Sequence, residues 1–272
     1  MKSIKKVKIQ SQPNDFTCGP TCLHAIYEFY EGEGKVSLEQ IIKEVEYLET
    51  GGTLAVLLAT HALKRGYEVK MNVLDLNIFD PTWFIKNSYH LNNSANSANS
   101  ANSANSDGLT IHKSQKNINL REHLIHKLEA QIACKEKKKV RLVSKAYVNF
   151  LKLGGEVMSK DISSRFLKSA FESCGPVLTG LSATYLYRCS REIAGPHEKS
   201  LFDDVRGEPT GHFVVLNGYT DNAKSVLVAD PFSANPLSER YYSVRVSRLI
   251  NAILLGEITY DANLVFIRPK NK

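Results

Sequence analysis

The chain has 272 residues, 43% of them hydrophobic and 23% charged, which is long enough and apolar enough for a globular protein with a full core. It has no stretch with the length and apolarity of a membrane span, and no apolar segment follows its basic N-terminal residues as in a secretory signal, so a cytoplasmic protein is expected. The formal net charge of +7 comes largely from local clusters of lysine and arginine, and because none of them alternates with base-stacking aromatic residues, nucleic acid is not an expected partner.

The first part of the chain is predicted to be mainly helical. Apolar residues recur at helical spacing after Cys18, and Pro20 suits the first turn of that helix. Asp15 or Thr17 is its candidate N-cap, and a capping-box pattern beginning at Ser37 opens a second helix. These patterns predict helices over residues 18–31, 37–48 and 53–65 and a strand over residues 67–76.

The second part of the chain is predicted to contain most of the strands. Asp161 is a candidate helix cap, and the polar segment 188–210 is predicted to be a loop. The predicted helices cover residues 120–138, 145–153, 161–173 and 247–255, and the predicted strands cover residues 177–182, 212–219, 225–230, 241–246 and 263–267. Helices first and strands later predict an α+β fold in which helices pack against an antiparallel sheet.

A repeat of Asn, Ser and Ala occupies residues 93–106. It has no apolar face that could be buried, so residues from about 92 to 108 are predicted to form a disordered surface loop. Such insertions cost little in a loop, and the candidate catalytic residues lie on both sides of it. Residues 1–272 are therefore predicted to be a single domain.

The five cysteines are odd in number and lie in a long chain, which argues against a disulfide framework and favours a reducing compartment. Cys18 stands at the predicted start of a helix, where the partial positive charge of the helix end stabilises a thiolate nucleophile. Cys22 lies one turn further on the apolar face and is interpreted as a core residue. His123 and His126 share a predicted helix face, but no HExxH pattern accompanies them, and neither a metal nor a cofactor is expected.

A predicted hairpin brings a base and a carboxylate together. Residues 220–224 are rich in turn formers and separate two apolar strands, so a turn centred near Asp221 places His212 directly opposite Asp230. Opposed Cβ atoms lie about 4.5–5.5 Å apart, so Asp230 can orient the imidazole as the third member of a catalytic triad. A register slip of one residue would send the two side chains to opposite faces of the sheet.

A glutamine upstream of Cys18 is the candidate side-chain donor to an oxyanion, with the backbone N–H of Cys18 as the second donor. Gln12 and Gln10 compete for this role by position.

Three segments of the chain resemble the C39 group of papain-like cysteine peptidases: residues 12–22 with their Cys-Gly helix start, residues 211–219 with a histidine that opens a strand, and residues 228–231 with an Asp-Pro at a strand end. The resemblance implies a papain-like fold with Cys18 as the nucleophile and His212 as the general base. It implies that Asp230 orients the base and that Gln12, rather than Gln10, donates to the oxyanion. It also implies a peptide or protein substrate that is cleaved after small residues such as Gly-Gly.

The chain departs from the exporter-linked members of that family. Thr17 stands directly before the cysteine in place of an aspartate, and the sequence contains no P-loop of a transporter. It is more similar to standalone bacterial members, which implies a cysteine peptidase and a partner enzyme that makes or presents the peptide. Two alternatives stay open: an acyl transferase or transpeptidase that uses the same triad, and an inactive peptide-binding protein on the same fold.

Overall fold

The computed structural model describes residues 7–48, 52–85, 119–194, 200–220, 224–259 and 262–270. The predicted repeat loop at about 92–108 lies outside these ranges. Within them, no helix combines the length and the apolar composition that crossing a membrane requires.

Most of the described strands belong to one mixed sheet. The strands are β1 Tyr67–Val73, β2 Glu156–Met158, β3 Val177–Ser182, β4 Glu192–Ala194, β5 Ser200–Phe202, β6 Gly211–Tyr219, β7 Ser225–Ala229, β8 Tyr241–Arg245 and β9 Asn263–Pro269. Seven of them form the large sheet in the order β2-β1-β9-β3-β6-β7-β8, and β4 pairs with β5 separately. All neighbours in the large sheet are antiparallel except β1 and β2, which are parallel.

The prediction of an antiparallel sheet is therefore wrong at one edge. Two of the described α-helices lie between β1 and β2, and a crossover of that length is what a parallel neighbour requires. Strand β2 has only three residues, too few to show an alternating pattern in the sequence.

The described helices confirm the α+β class. They are α1 Cys18–Glu31, α2 Leu38–Glu44, α3 Ala55–Lys64, α4 Leu120–Cys134, α5 Lys138–Lys152, α6 Ser164–Cys174, α7 Ala183–Tyr187 and α8 Val246–Leu254, with 3₁₀ turns at Pro81–Phe84 and Leu255–Thr259. The second helix is shorter than predicted because Val45 is already extended. The predicted cap of α6 is also wrong, because the hydroxyl of Ser163, not the carboxylate of Asp161, accepts the N–H of Phe166. Strands β4 and β5 lie within the segment predicted to be a loop.

Helices cover both faces of the large sheet. Phe213 and Val215 on β6 belong to a buried cluster that includes residues of α1, α3, α4 and α5. Val214 and Leu216 point the other way and join a second cluster with residues of α6, α7 and α8. Side chains of a strand alternate between faces, so β6 presents successive residues to α1 and to α7 on opposite sides of the sheet.

Candidate active site

Cys18 is the first residue of α1, and its side chain is partly exposed. The prediction that Asp15 or Thr17 caps this helix is wrong: no side chain of the described residues does so, and the Thr17 hydroxyl instead donates to the carbonyl oxygen of Asn14 at 3.0 Å. The physical reason is the local turn, which folds Thr17 back onto Asn14. The first N–H groups of α1 are thus left without a capping side chain, an arrangement suited to binding a negatively charged oxygen.

The position of Cys18 depends on close packing at Gly19. A Cβ atom at Gly19 would lie 2.8 Å from Cγ2 of Thr53, 2.9 Å from Cδ1 of Leu58 and 3.3 Å from Cδ2 of Phe213. Any larger residue would push these neighbours away. Glycine therefore allows α1 to lie directly against β6, the strand that carries His212.

His212 and Asp230 form a buried pair. Nε2 of His212 lies 2.9 Å from Oδ1 of Asp230, and the two residues are 8% and 0% exposed. This contact leaves Nδ1 as the ring nitrogen available to Cys18, which lines the same cavity as His212. Three of the predicted site residues therefore meet at the end of the sheet where β6 begins.

The register of the hairpin is shifted by two residues from the predicted one. Val215 lies opposite Ala229, and continuing this register places Val214, not His212, opposite Asp230. Beside the turn, Tyr219 lies opposite Val226, which is three residues from the predicted register, and a β-bulge between Leu216 and Tyr219 reduces this difference to two. A shift of two residues preserves the face, and diagonal neighbours about 7–8 Å apart are within reach of an imidazole and a carboxylate. The prediction of direct opposition is thus wrong, although the side chains meet.

Asp230 accepts four hydrogen bonds. Oδ1 accepts from His212 and, at 2.9 Å, from the backbone N–H of Phe232. Oδ2 accepts from the hydroxyl of Tyr187 at 2.7 Å and from the hydroxyl of Tyr242 at 2.6 Å. Every oxygen of this buried carboxylate is therefore satisfied, as a buried charge requires.

Sequence reasoning did not single out either tyrosine. Tyr242 lies on β8, where buried and exposed residues alternate, so a signal for its inward position was present in the predicted strand. Tyr187 ends α7, a five-residue helix that is too short to show a helical period. The N–H of Ala183 ties α7 to the start of β6 by donating to the carbonyl of Thr210 at 2.8 Å.

Charge fixes the protonation states of the pair. Burial lowers the pKa of His212, but the negative charge of Asp230, the hydrogen bond to it and the side chain of Cys18 together raise that pKa above its usual value. Burial raises the pKa of Asp230, but the imidazole and the hydroxyls of Tyr242 and Tyr187 together lower it below its usual value. The pair is therefore an imidazolium and a carboxylate at neutral pH.

Gln12 reaches the same region through its backbone and its side chain. Its N–H donates to the carbonyl of Pro231 at 2.9 Å, directly after Asp230. Its side-chain Nε2 donates to the carbonyl of Asn14 at 3.0 Å, which leaves the second N–H of the amide for another acceptor. Gln12 lines the cavity beside Cys18, whereas Gln10 is exposed and does not line it.

The cavity beside Cys18 has a volume of about 850 Å³. Cys18, His212 and Gln12 all line it, and its other walls come from the start of α3, from α7, from the β4–β5 hairpin and from residues 232–236. A separate cavity of about 530 Å³ lies beside β1 and β2 and contains none of these residues. The volume beside Cys18 falls in the range of ligand sites, which extends to about 1,000 Å³.

The other cysteines differ from Cys18 in their surroundings. Cys22 is fully buried, donates its S–H to the carbonyl of Phe213 at 3.3 Å, and has a pKa that burial raises well above its usual value. Cys22 is thus a core residue, in agreement with its interpretation from the sequence. Among the described residues, no three His, Cys, Asp or Glu side chains are grouped so that they could hold a metal ion.

Comparisons of the chain with protein-family models and with the sequences of curated proteins find no match. Function must therefore be inferred from the side chains themselves. Cys18, His212 and Gln12 line one cavity, and Asp230 accepts a hydrogen bond from His212. The hydroxyls of Tyr187 and Tyr242 donate to the other oxygen of that carboxylate.

Proposed function

We propose that this chain is a cysteine peptidase that hydrolyses a peptide bond with Cys18, His212 and Asp230. The observation that carries the proposal is the 2.9 Å contact by which buried Asp230 holds His212, which lines the same cavity as Cys18 at the start of α1. A base that is oriented by a carboxylate and lies beside a partly exposed thiol is the arrangement used in nucleophilic catalysis. A papain-like fold and a reducing, cytoplasmic setting belong to the same proposal, the second because all five cysteines are free thiols.

The reaction follows from the charges of the site. The sulfur of Cys18 attacks the carbonyl carbon of the scissile bond, and the negative charge passes to the carbonyl oxygen. His212 gives its Nδ1 proton to the leaving amine as the C–N bond breaks, which leaves the acyl group on Cys18 as a thioester. A water molecule then gives a proton to His212 and attacks the thioester, so that the acid leaves and the thiolate and imidazolium are restored.

Two donors suit the oxyanion that forms in the first step. The backbone N–H of Cys18 lies at the end of α1 that no side chain caps. The second side-chain N–H of Gln12 is the other candidate, since the first one is already used by Asn14. Removal of one such donor costs roughly a hundredfold or more in rate in a comparable site.

The experiment that tests the proposal compares the wild-type chain with Cys18→Ala on a diverse peptide library by mass spectrometry. New peptide termini that appear only with the wild type are the expected result. Ligated products that depend on Cys18 would instead establish acyl transfer to an amine by the same thioester. The matched control is Cys134→Ala, which removes an exposed thiol outside the cavity and should leave the products unchanged.

Alkylation gives a second, independent result. Iodoacetamide at neutral pH should label Cys18 faster than Cys134, although Cys134 is the more exposed of the two. His212→Ala should bring the rate at Cys18 down to that of an ordinary thiol. Equal labelling of both cysteines, together with an unchanged peptide library, would contradict the proposal.

A further inference from the structure

Three phenylalanines from separate segments line the cavity beside Cys18. Phe16 precedes α1 and is 47% exposed, and Phe202 ends β5 and is 63% exposed. Phe232 follows Asp230, and its ring lies edge-on to the imidazole of His212 with the centroids 6.2 Å apart. Exposed aromatic surface inside a concave site is surface that a ligand can bury.

The backbone of each phenylalanine is held in place. The N–H of Phe16 donates to Oδ1 of Asn14 at 3.0 Å, and the N–H of Phe232 donates to Oδ1 of Asp230 at 2.9 Å. Phe202 pairs with Glu192 in the β4–β5 ladder. Because these anchors exist before any ligand arrives, the walls need little ordering when an apolar side chain enters.

The cavity also carries an excess of acidic side chains. Asp15 and Glu192 line it, and neither carboxylate forms an ion pair within the described residues. Lys139 is the one lysine or arginine among the described lining residues, and the charge of His212, which also lines the cavity, is balanced by Asp230. The formal net charge of the whole chain is +7, so the sign of the charge in the cavity is opposite to that of the chain. Negative side chains in the cavity favour a positively charged ligand group.

We infer that the site takes peptides that present a bulky apolar side chain, preferably aromatic, together with a lysine or arginine close to it in sequence. The inference rests on the proposed function, because it names the substrate class of the same cavity. A Gly-Gly segment offers no side chain to Phe16, Phe202 or Phe232. The walls therefore favour peptides of the apolar, basic class over peptides whose distinguishing feature is a double glycine.

Binding to the full-length Cys18→Ala variant tests the inference without any need for bond cleavage. The probes are four dye-labelled octapeptides of one scaffold, in which two central positions are Phe-Arg, Phe-Glu, Gly-Arg or Gly-Gly, and the readout is fluorescence anisotropy. The Phe-Arg peptide should bind most tightly and the Gly-Gly peptide most weakly. Adding Phe202→Ala should raise the Kd of the Phe-Arg and Phe-Glu peptides about tenfold and leave that of the Gly-Gly peptide unchanged.

A separate variant tests whether the acidic side chains of the cavity contribute to binding. Glu192→Gln should weaken binding of the two Arg peptides several-fold, and raised salt should reduce the difference. Leu201→Ala is the matched control for Phe202→Ala, because Leu201 is an exposed apolar residue of the same hairpin but does not line the cavity. Equal binding of all four peptides, no binding of any, or an equal effect of Phe202→Ala on all of them would overturn the inference.

Failure of the inference and failure of the proposed function are distinguishable. If the library is cleaved in a Cys18-dependent way without preference for apolar and basic residues, the inferred substrate class is contradicted and the proposed peptidase activity is supported. If the four peptides bind in the expected order but no Cys18-dependent product forms, the inferred ligand class is supported and the proposed peptidase activity is contradicted.

Discussion

The hydroxyl of Tyr242 lies 2.6 Å from Oδ2 of Asp230, and this hydrogen bond joins β8 to a carboxylate with no exposed surface. Tyr187, at the end of α7, donates to the same oxygen at 2.7 Å. The two hydroxyls hold the oxygen that His212 does not use. The carboxylate therefore cannot rotate away from the imidazole without breaking both bonds.

Tyr187→Phe and Tyr242→Phe should each lower kcat about tenfold with little change in KM, because each hydroxyl is already bonded to Asp230. Each hydroxyl helps to lower the pKa of Asp230, so its loss raises that pKa. The acid limb of the pH profile of kcat/KM should then move to higher pH. A fall in activity without this movement would mean that the tyrosines act only on folding.

Asp230→Asn should destabilise the fold in a pH-dependent way. The pKa of Asp230 is lowered from its usual value of 3.8, so its contribution is present above that value and is lost as pH falls through the lower folded pKa. The pKa of His212 is raised from its usual value of 6.5, so its contribution is complete below that value and is lost as pH rises through the higher folded pKa. The ion pair therefore stabilises most between these two usual values.

Urea unfolding of the wild type and Asp230→Asn at several pH values measures this difference. We expect a loss of about 3 kcal/mol between pH 4 and 6.5, as for one partner removed from a buried ion pair. Asp161→Asn, which alters an exposed carboxylate that does not cap α6, is the control and should show no such window. An equal loss for Asp230→Asn from pH 3 to pH 9 would contradict the ion-pair description.

Gln12→Ala should reduce kcat by roughly a hundredfold if the amide donates to the oxyanion. The labelling rate of Cys18 by iodoacetamide should change little, because alkylation forms no oxyanion. Gln10→Ala is the matched control, since Gln10 is exposed and outside the cavity. Equal effects of both variants on kcat would assign the oxyanion to another donor.

Gly19→Ala should displace the start of α1. The added methyl group would overlap Thr53 and the buried side chain of Leu58, so we expect a loss of about 1–3 kcal/mol in the free energy of unfolding. The labelling rate of Cys18 should fall as well, because the thiol moves relative to His212. Pro20→Ala, which keeps the helix start and removes no contact at Gly19, should change the labelling rate far less.

Local patterns predicted the elements that carry the nucleophile and the base. The helix that begins at Cys18 lies at the predicted residues 18–31, and the strand that carries His212 begins one residue before its predicted range of 212–219. The face shared by His212 and Asp230 was also predictable, because a strand alternates with a period of two.

Features that depend on distant parts of the chain were not predictable in this way. The hairpin register depends on the position of the turn and on a bulge, and the parallel pairing of β2 with β1 depends on the helical crossover between them. Tyr187 reaches Asp230 only because α7 is tied to Thr210, a contact that no local pattern shows. The missing N-cap at Thr17 reflects a competing local hydrogen bond to Asn14.

Strand β9 pairs with β1 on one side and with β3 on the other, and it follows all other described strands along the chain. While the chain is being synthesised, the β1–β2 pair and the strands from β3 to β8 therefore have no strand between them until residues 263–269 have left the ribosome. Helix α1, which begins at Cys18, packs against both β6 and β9. Its packing is therefore complete only at that late stage. Such long-range pairing makes folding slow, and it delays the complete packing of α1 until residues 263–269 have been made.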